Sequence, residues 1–252
     1  MPAEMVRVPA GSYVPLYQRE ARDPVTGNLV RRAESRPVPA FLLDEKPVTN
    51  REYLQFVRDR PEWRRSAVKS TFADENYLRH WAGDLELGPL APPRSPVVYV
   101  SWFAARAFLA ARGKRLPKVD EWEFAGAASE TEADASRDSG FQERLRDWYA
   151  RPTPAVLPAV ESTLRNLYGI WDLHGLIWEW TLDFNSALVT GESRGDASLD
   201  RGLYCGGAAS GAADFENYPA FMRFAYRSSL QARYATGNLG FRGARDLKGE
   251  TP

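Results

Sequence analysis

Few residues in this 252-residue chain could carry catalysis, and their counts restrict the chemistry. There is one cysteine, Cys205, and there are two histidines, His80 and His174. A zinc site of the usual kind takes three or four His/Cys ligands, so it would need all three. A hard, oxygen-ligated cation is easier to furnish, because Asp and Glu number 33. Cys205 lies in "LYCGGAA", beside two glycines that let a backbone or ligand come close. It reads either as an inert buried thiol or as part of a mononuclear metal or redox site with His174, His80 or Met222. His174, in the turn "DLHG", offers a metal ligand, a general base or a satisfied turn histidine. His80, in "LRHWAGD", poses the same choice. No GxSxG-like elbow supports a Ser–His–Asp triad. Walker and Rossmann patterns are absent, and "GKR" at 113–115 closes a helix.

The stretch "GLIWEWTLDFN" (175–185) holds Glu179 between two tryptophans. In a strand, alternate residues share a face. Leu176, Trp178, Trp180 and Leu182 would then face the core, and Ile177, Glu179, Thr181 and Asp183 the other way. A glutamate there calls for a partner, and one of the many arginines could supply it. Arg223, Arg227, Arg233, Arg242 and Arg245 alternate with aromatics near the C-terminus. They could line a groove for an anionic or peptide ligand, or brace loops through carboxylates and carbonyls.

The elements that must position these residues are mixed. Apolar residues make up 44% and aromatics 12%, enough for a large core. Positive and negative side chains balance at 33 each, so the basic excess of a nucleic-acid binder is missing. No apolar run is long enough to span a membrane. The first 17 residues lack the apolar segment of a secretion signal, which points to the cytoplasm, or to the periplasm if a signal has been trimmed. One thiol rules out an intrachain disulfide. Residues 5–17 and 41–43 read as strands. Residues 48–63 read as a helix capped by Thr49 or Asn50 and stopped by Pro61. In 97–117 a strand leads to Ser101 as helix cap, and the helix runs to Gly113. A second helix covers 118–128, and 129–140 reads as a surface loop. From residue 165 the pattern becomes short aromatic strands and long turns. These features predict one α+β domain over 1–252 with an irregular antiparallel part.

Five motifs, in order, resemble the sulfatase-modifying-factor family, whose best-known members are the formylglycine-generating enzymes. They are "KPVTNREYLQFV" (46–57), "SPVVYVSWFAARAFLAARGKRLPKVDEWEFA" (95–125), "NLYGIWDLHGLIWEW" (166–180), "CGGA" (205–208) and "NLGFRGARD" (238–246). The resemblance implies an irregular C-type lectin-like fold. "PEWRRSAVKSTFADENYLRHWAGDLELG", "GLIWEWTLDFNSALV" and "AFMRFAYRSSL" look most like the NirV-type branch, whose genes commonly lie beside those of copper nitrite reductases. That implies such a reductase as a possible protein partner. The resemblance also implies a structural calcium site made of Asp172, Gly175, Ile177 and Glu179, with the two central residues giving carbonyls. Formylglycine-generating enzymes use two copper-binding cysteines, and the matching positions here are Gly211 and Glu216. Soft Cu(I) needs thiolate or thioether ligands, so the copper-thiolate mechanism is expected to be absent. The usual serine after the two glycines is Ala208, and the cysteine often found after "GFR" is Gly243. An accessory or ligand-binding role follows. An oxidoreductase using copper or iron near Cys205, Ala208, Arg227 and Ser228, and a lectin-like scaffold, are the alternatives.

Overall fold

The structure, a computed structural model, describes residues 4–16, 20–22, 29–31, 35–185 and 217–247. Strands β1 (Met5–Val8), β2 (Gly11–Tyr13), β3 (Glu20–Arg22), β4 (Leu29–Arg31), β5 (Arg36–Val38) and β6 (Phe41–Asp44) come first. Helices α1 (Asn50–Asp59), α2 (Trp102–Ala110), α3 (Val119–Gly126) and α4 (Ser139–Ala150) follow. The chain ends with β7 (Trp178–Glu179), α5 (Tyr218–Ser228), β8 (Leu239–Gly240) and β9 (Ala244–Asp246). An antiparallel sheet in the order β1-β6-β9 joins the two ends of the chain, with Leu43 opposite both Val6 and Ala244. β7 and β8 form a short parallel pair that puts Glu179 beside Gly240. Mixed helix and strand is therefore the observed class, with long stretches outside both.

Local signals explain the helix starts. Thr49 caps α1 in a capping box with Glu52. The Ser101 side chain accepts from the Ala104 amide at the start of α2. Gly113 takes φ +62° just past that helix, as a C-terminal glycine should. The main core gathers Tyr53, Tyr77, Trp81, Phe108, Trp180 and Phe241. Its polar ends are satisfied: the Tyr53 and Tyr77 hydroxyls meet at 2.7 Å, and Trp180 Nε1 donates to the Val100 carbonyl at 2.8 Å.

Two expectations fail here. Residues 218–228 are helix rather than strand. The Asn217 side chain caps the first turn through the Ala220 amide, Pro219 fits that turn, and Arg223 and Arg227 fall four apart on one face. The alternation drawn through 176–183 also fails. Leu176, Ile177, Glu179, Trp180 and Thr181 are all buried, and only Trp178–Glu179 is strand. A two-residue strand covered on both sides has no solvent face, so period two carries no information.

Candidate functional site

Glu179 and Arg242 form the deepest ion pair in the described residues, with both side chains 0% exposed. Arg242 Nε donates to the two Glu179 oxygens at 2.9 and 2.8 Å. Its other nitrogens donate to the carbonyls of Asp44 at 3.1 Å and Trp171 at 2.9 Å. Trp122 Nε1 from α3 adds a bond to Glu179 Oε2 at 2.8 Å. The glutamate thus takes the arginine partner, and the pair ties β6, the 171–175 turn, α3 and β7 together. Buried charges need such complete pairing.

The 172–175 turn is held in the same manner. Asp172 takes a left-handed φ of 59°, and Gly175 one of 90°. The Asp172 carboxylate accepts from the amides of Glu161, Ser162 and Thr163. The Thr163 hydroxyl lies 2.9 Å from Asp172 Oδ1 and 2.7 Å from the His174 carbonyl, and donates to one at a time. Of the four residues implied as calcium ligands, the two carboxylates are therefore directed at donors of the protein itself. The oxygens are of the type a hard cation takes, and Arg242 competes with any such cation for Glu179.

A second ionic group lies against the first. Glu123 on α3 accepts from Arg223 Nε and Nη2, the latter at 2.7 Å, and from Arg227 Nη1 at 2.5 Å, both arginines reaching in from α5. Burial pushes the Glu123 carboxyl up, but the two guanidinium groups outweigh it and hold it at about 2. Arg223 Nη1 also donates to the Tyr149 hydroxyl at 3.2 Å. Tyr149 stacks on Trp178 at 5.0 Å, and Tyr226 covers the same indole at 4.4 Å. The gap these groups leave is about 10 Å³, room for one water and no ligand.

The histidines part company. His174 is buried between Trp122 and Phe141, and its Nε2 donates to the Gly126 carbonyl at 2.7 Å. Burial, then the positive charge of Arg223, pushes it down to about 3, so it is neutral at pH 7. His80 lies elsewhere, against Tyr99. Neither is a base poised for neutral pH. No group of three or more His, Cys, Asp or Glu able to hold a metal occurs among the described residues. Arg227 is engaged by Glu123, and the neighbouring Ser228 Oγ is buried with no partner among the described residues. Cys205, Ala208, Gly211 and Glu216 lie outside the described residues. What the sequence reading missed is Glu123 itself. Its signal was "DEWEFA", where Trp122 and Glu123 each serve a different buried carboxylate–arginine group. Chemically, the arrangement fixes charges and aromatic faces.

The chain is 29% identical to the inactive C-alpha-formylglycine-generating enzyme 2 of Mus musculus over 273 residues, 94% of this chain and 84% of that protein. It is 34% identical to the formylglycine-generating enzyme of Streptomyces coelicolor over 169 residues, 61% of this chain and 54% of the enzyme. The crystal structure of CarF shares the fold with a TM-score of 0.52 at 15% identity, covering 98% of this chain and 99% of CarF. The model of the sulfatase-modifying factor enzyme 1-like domain matches residues 1–247, and the chain belongs to that family.

Proposed function

We propose that this chain is a formylglycine-generating-enzyme-like protein without formylglycine chemistry, acting as an accessory or ligand-binding protein beside a copper nitrite reductase. The carrying observation is the single cysteine: Gly211 and Glu216 stand where the copper-binding pair is expected, and one thiol cannot supply two thiolates. The Glu123 group supports the same reading, since its two arginines hold that carboxyl at about 2, far below neutral pH. The name of the mouse relative, an inactive member, agrees with it. The NirV-type assignment and the reductase link rest on the resemblance of residues 61–88, 175–189 and 220–230. The C-type lectin-like description of the fold and a structural calcium at Asp172, Gly175, Ile177 and Glu179 belong to the same reading.

Two measurements test it. The copper-loaded protein is incubated with a cysteine-containing sulfatase peptide and followed by mass spectrometry; the peptide is expected to stay unchanged, and conversion to formylglycine would overturn the proposal. Purified copper nitrite reductase is then titrated against the immobilised protein. Saturable binding at roughly micromolar concentration is expected, and no binding by about 100 µM removes the reductase from the reading.

A further inference from the structure

A cleft of about 270 Å³ opens outside the ionic site. Its walls include Asn50, His80, Leu90, Ser95, Tyr99 and Asn238, and among the described residues no Asp, Glu, Lys or Arg lines it. The wall is set by strained backbone. Leu78 and Tyr99 take left-handed φ values of 49° and 56°, and the Leu78 amide donates to the Tyr99 carbonyl at 2.9 Å. Non-glycine residues in that region persist only where their surroundings enforce them, and they cluster at ligand clamps. The Tyr99 ring lies over Gly237, where a Cβ would come within 2.6 Å of the phenol oxygen. Glycine is therefore required for the ring to lie there.

His80 packs its ring 5.1 Å from that of Tyr99. Both of its nitrogens are buried and have no partner among the described residues. Burial, then the charge of Arg65, pushes it down to about 4, so it stays neutral. A neutral imidazole carries one donor and one acceptor, and leaving both unmade is costly. Two other polar side chains of the wall are committed: the Asn50 amide spans the Pro92 carbonyl and Trp81 Nε1, and Ser95 Oγ donates to the Leu157 carbonyl. Two apolar side chains stand exposed at the cleft: Leu90, 48% exposed, and Val156, between two wall residues, 43% exposed.

We propose that this cleft binds a small amphipathic ligand, with an apolar body against Leu90, Tyr99 and Pro154 and an uncharged amide-type head that gives or takes a hydrogen bond at His80. No Asp, Glu, Lys or Arg among the described residues lines the wall to meet an ionic head, and an amide can pair with either the N–H or the bare nitrogen of the imidazole. The proposal rests on the ligand-binding half of the reading above.

Three probes of one shape separate the possibilities: benzamide, benzoate and benzylamine, titrated while the imidazole C–H signals are followed by NMR, with the affinities of all variants taken from the probes' own signals by saturation-transfer difference. With two histidines in the chain, His80→Gln assigns both signals. Benzamide is expected to shift the His80 signal saturably at roughly millimolar concentration and to leave His174 in place. His80→Leu, which removes both unpartnered nitrogens, is expected to fold and to weaken binding at least about tenfold, a loss of about 1.4 kcal/mol. Gly237→Ala, which displaces the Tyr99 ring, is expected to weaken it as well. Absence of a saturable His80 shift, tighter binding of benzoate or benzylamine, or unchanged affinity in His80→Leu would each overturn the proposal. None of these outcomes bears on peptide conversion or reductase binding, so the two readings fail separately.

Discussion

At the scale of the residue, the Glu179–Arg242 pair makes the sharpest claim. Two charges with no exposure are tolerable only while each satisfies the other. Glu179→Gln keeps the shape and removes one charge, leaving the Arg242 guanidinium buried and unpaired. We expect a loss of about 3–5 kcal/mol in urea unfolding. Glu179→Gln combined with Arg242→Met is expected to recover part of that loss, because the orphan charge has gone with its partner. A single change that costs under about 1 kcal/mol would show that the pair is not held dry. The sequence offered an arginine partner among its options for Glu179. It could not choose Arg242, 63 positions away, because chain distance says nothing about which of many arginines the fold returns to one point.

At the scale of the element, legibility followed local chemistry. α1 and α2 were readable because their caps lie inside the segments themselves, at Thr49 and Ser101. α5 was not, because its inner face is built from Arg223 and Arg227, whose burial depends on Glu123 a hundred residues earlier. An apolar periodicity rule passes over a helix whose buried face is charged. The 172–175 turn raises the related question of what braces it. Under the calcium proposal, millimolar calcium raises the melting temperature by several degrees over the EDTA-treated protein. Coincident melting curves would assign the bracing to the Arg242 guanidinium and the amides of residues 161–163 alone. Differential scanning fluorimetry on one preparation, with and without the chelator, decides it.

At the scale of the whole molecule, the chain buries titratable groups in a way that fixes its response to acid. Irregular folds replace ladder bonds with side-chain braces, so protonation acts on the frame directly. His174 and His80 are neutral in the folded protein, pushed down to about 3 and about 4, chiefly by burial. In the unfolded chain both take up protons near pH 6.5. As pH falls below 6.5 the unfolded state therefore binds more protons than the native state, and stability drops from that point towards pH 3. Glu123, held at about 2 while an unfolded glutamate titrates near 4.5, adds stability above pH 4.5 that is lost as pH falls towards 2. Asp44 and Asp183, pushed up by burial, act in the opposite sense in acid. Their stabilising contribution grows as pH falls through their raised folded-state values, which offsets part of the loss. Urea midpoints at pH 7.5, 6.0, 5.0 and 4.5 should fall steadily. Each buried histidine sets a limiting slope of about 1.4 kcal/mol per pH unit. His174→Phe removes one of those two slopes, so its midpoints should decline less across the same interval. Flat wild-type midpoints between pH 6.5 and 4.5 would mean that the histidines are not held neutral, and the account of the core around Trp122, Phe141 and Gly126 would have to be redrawn.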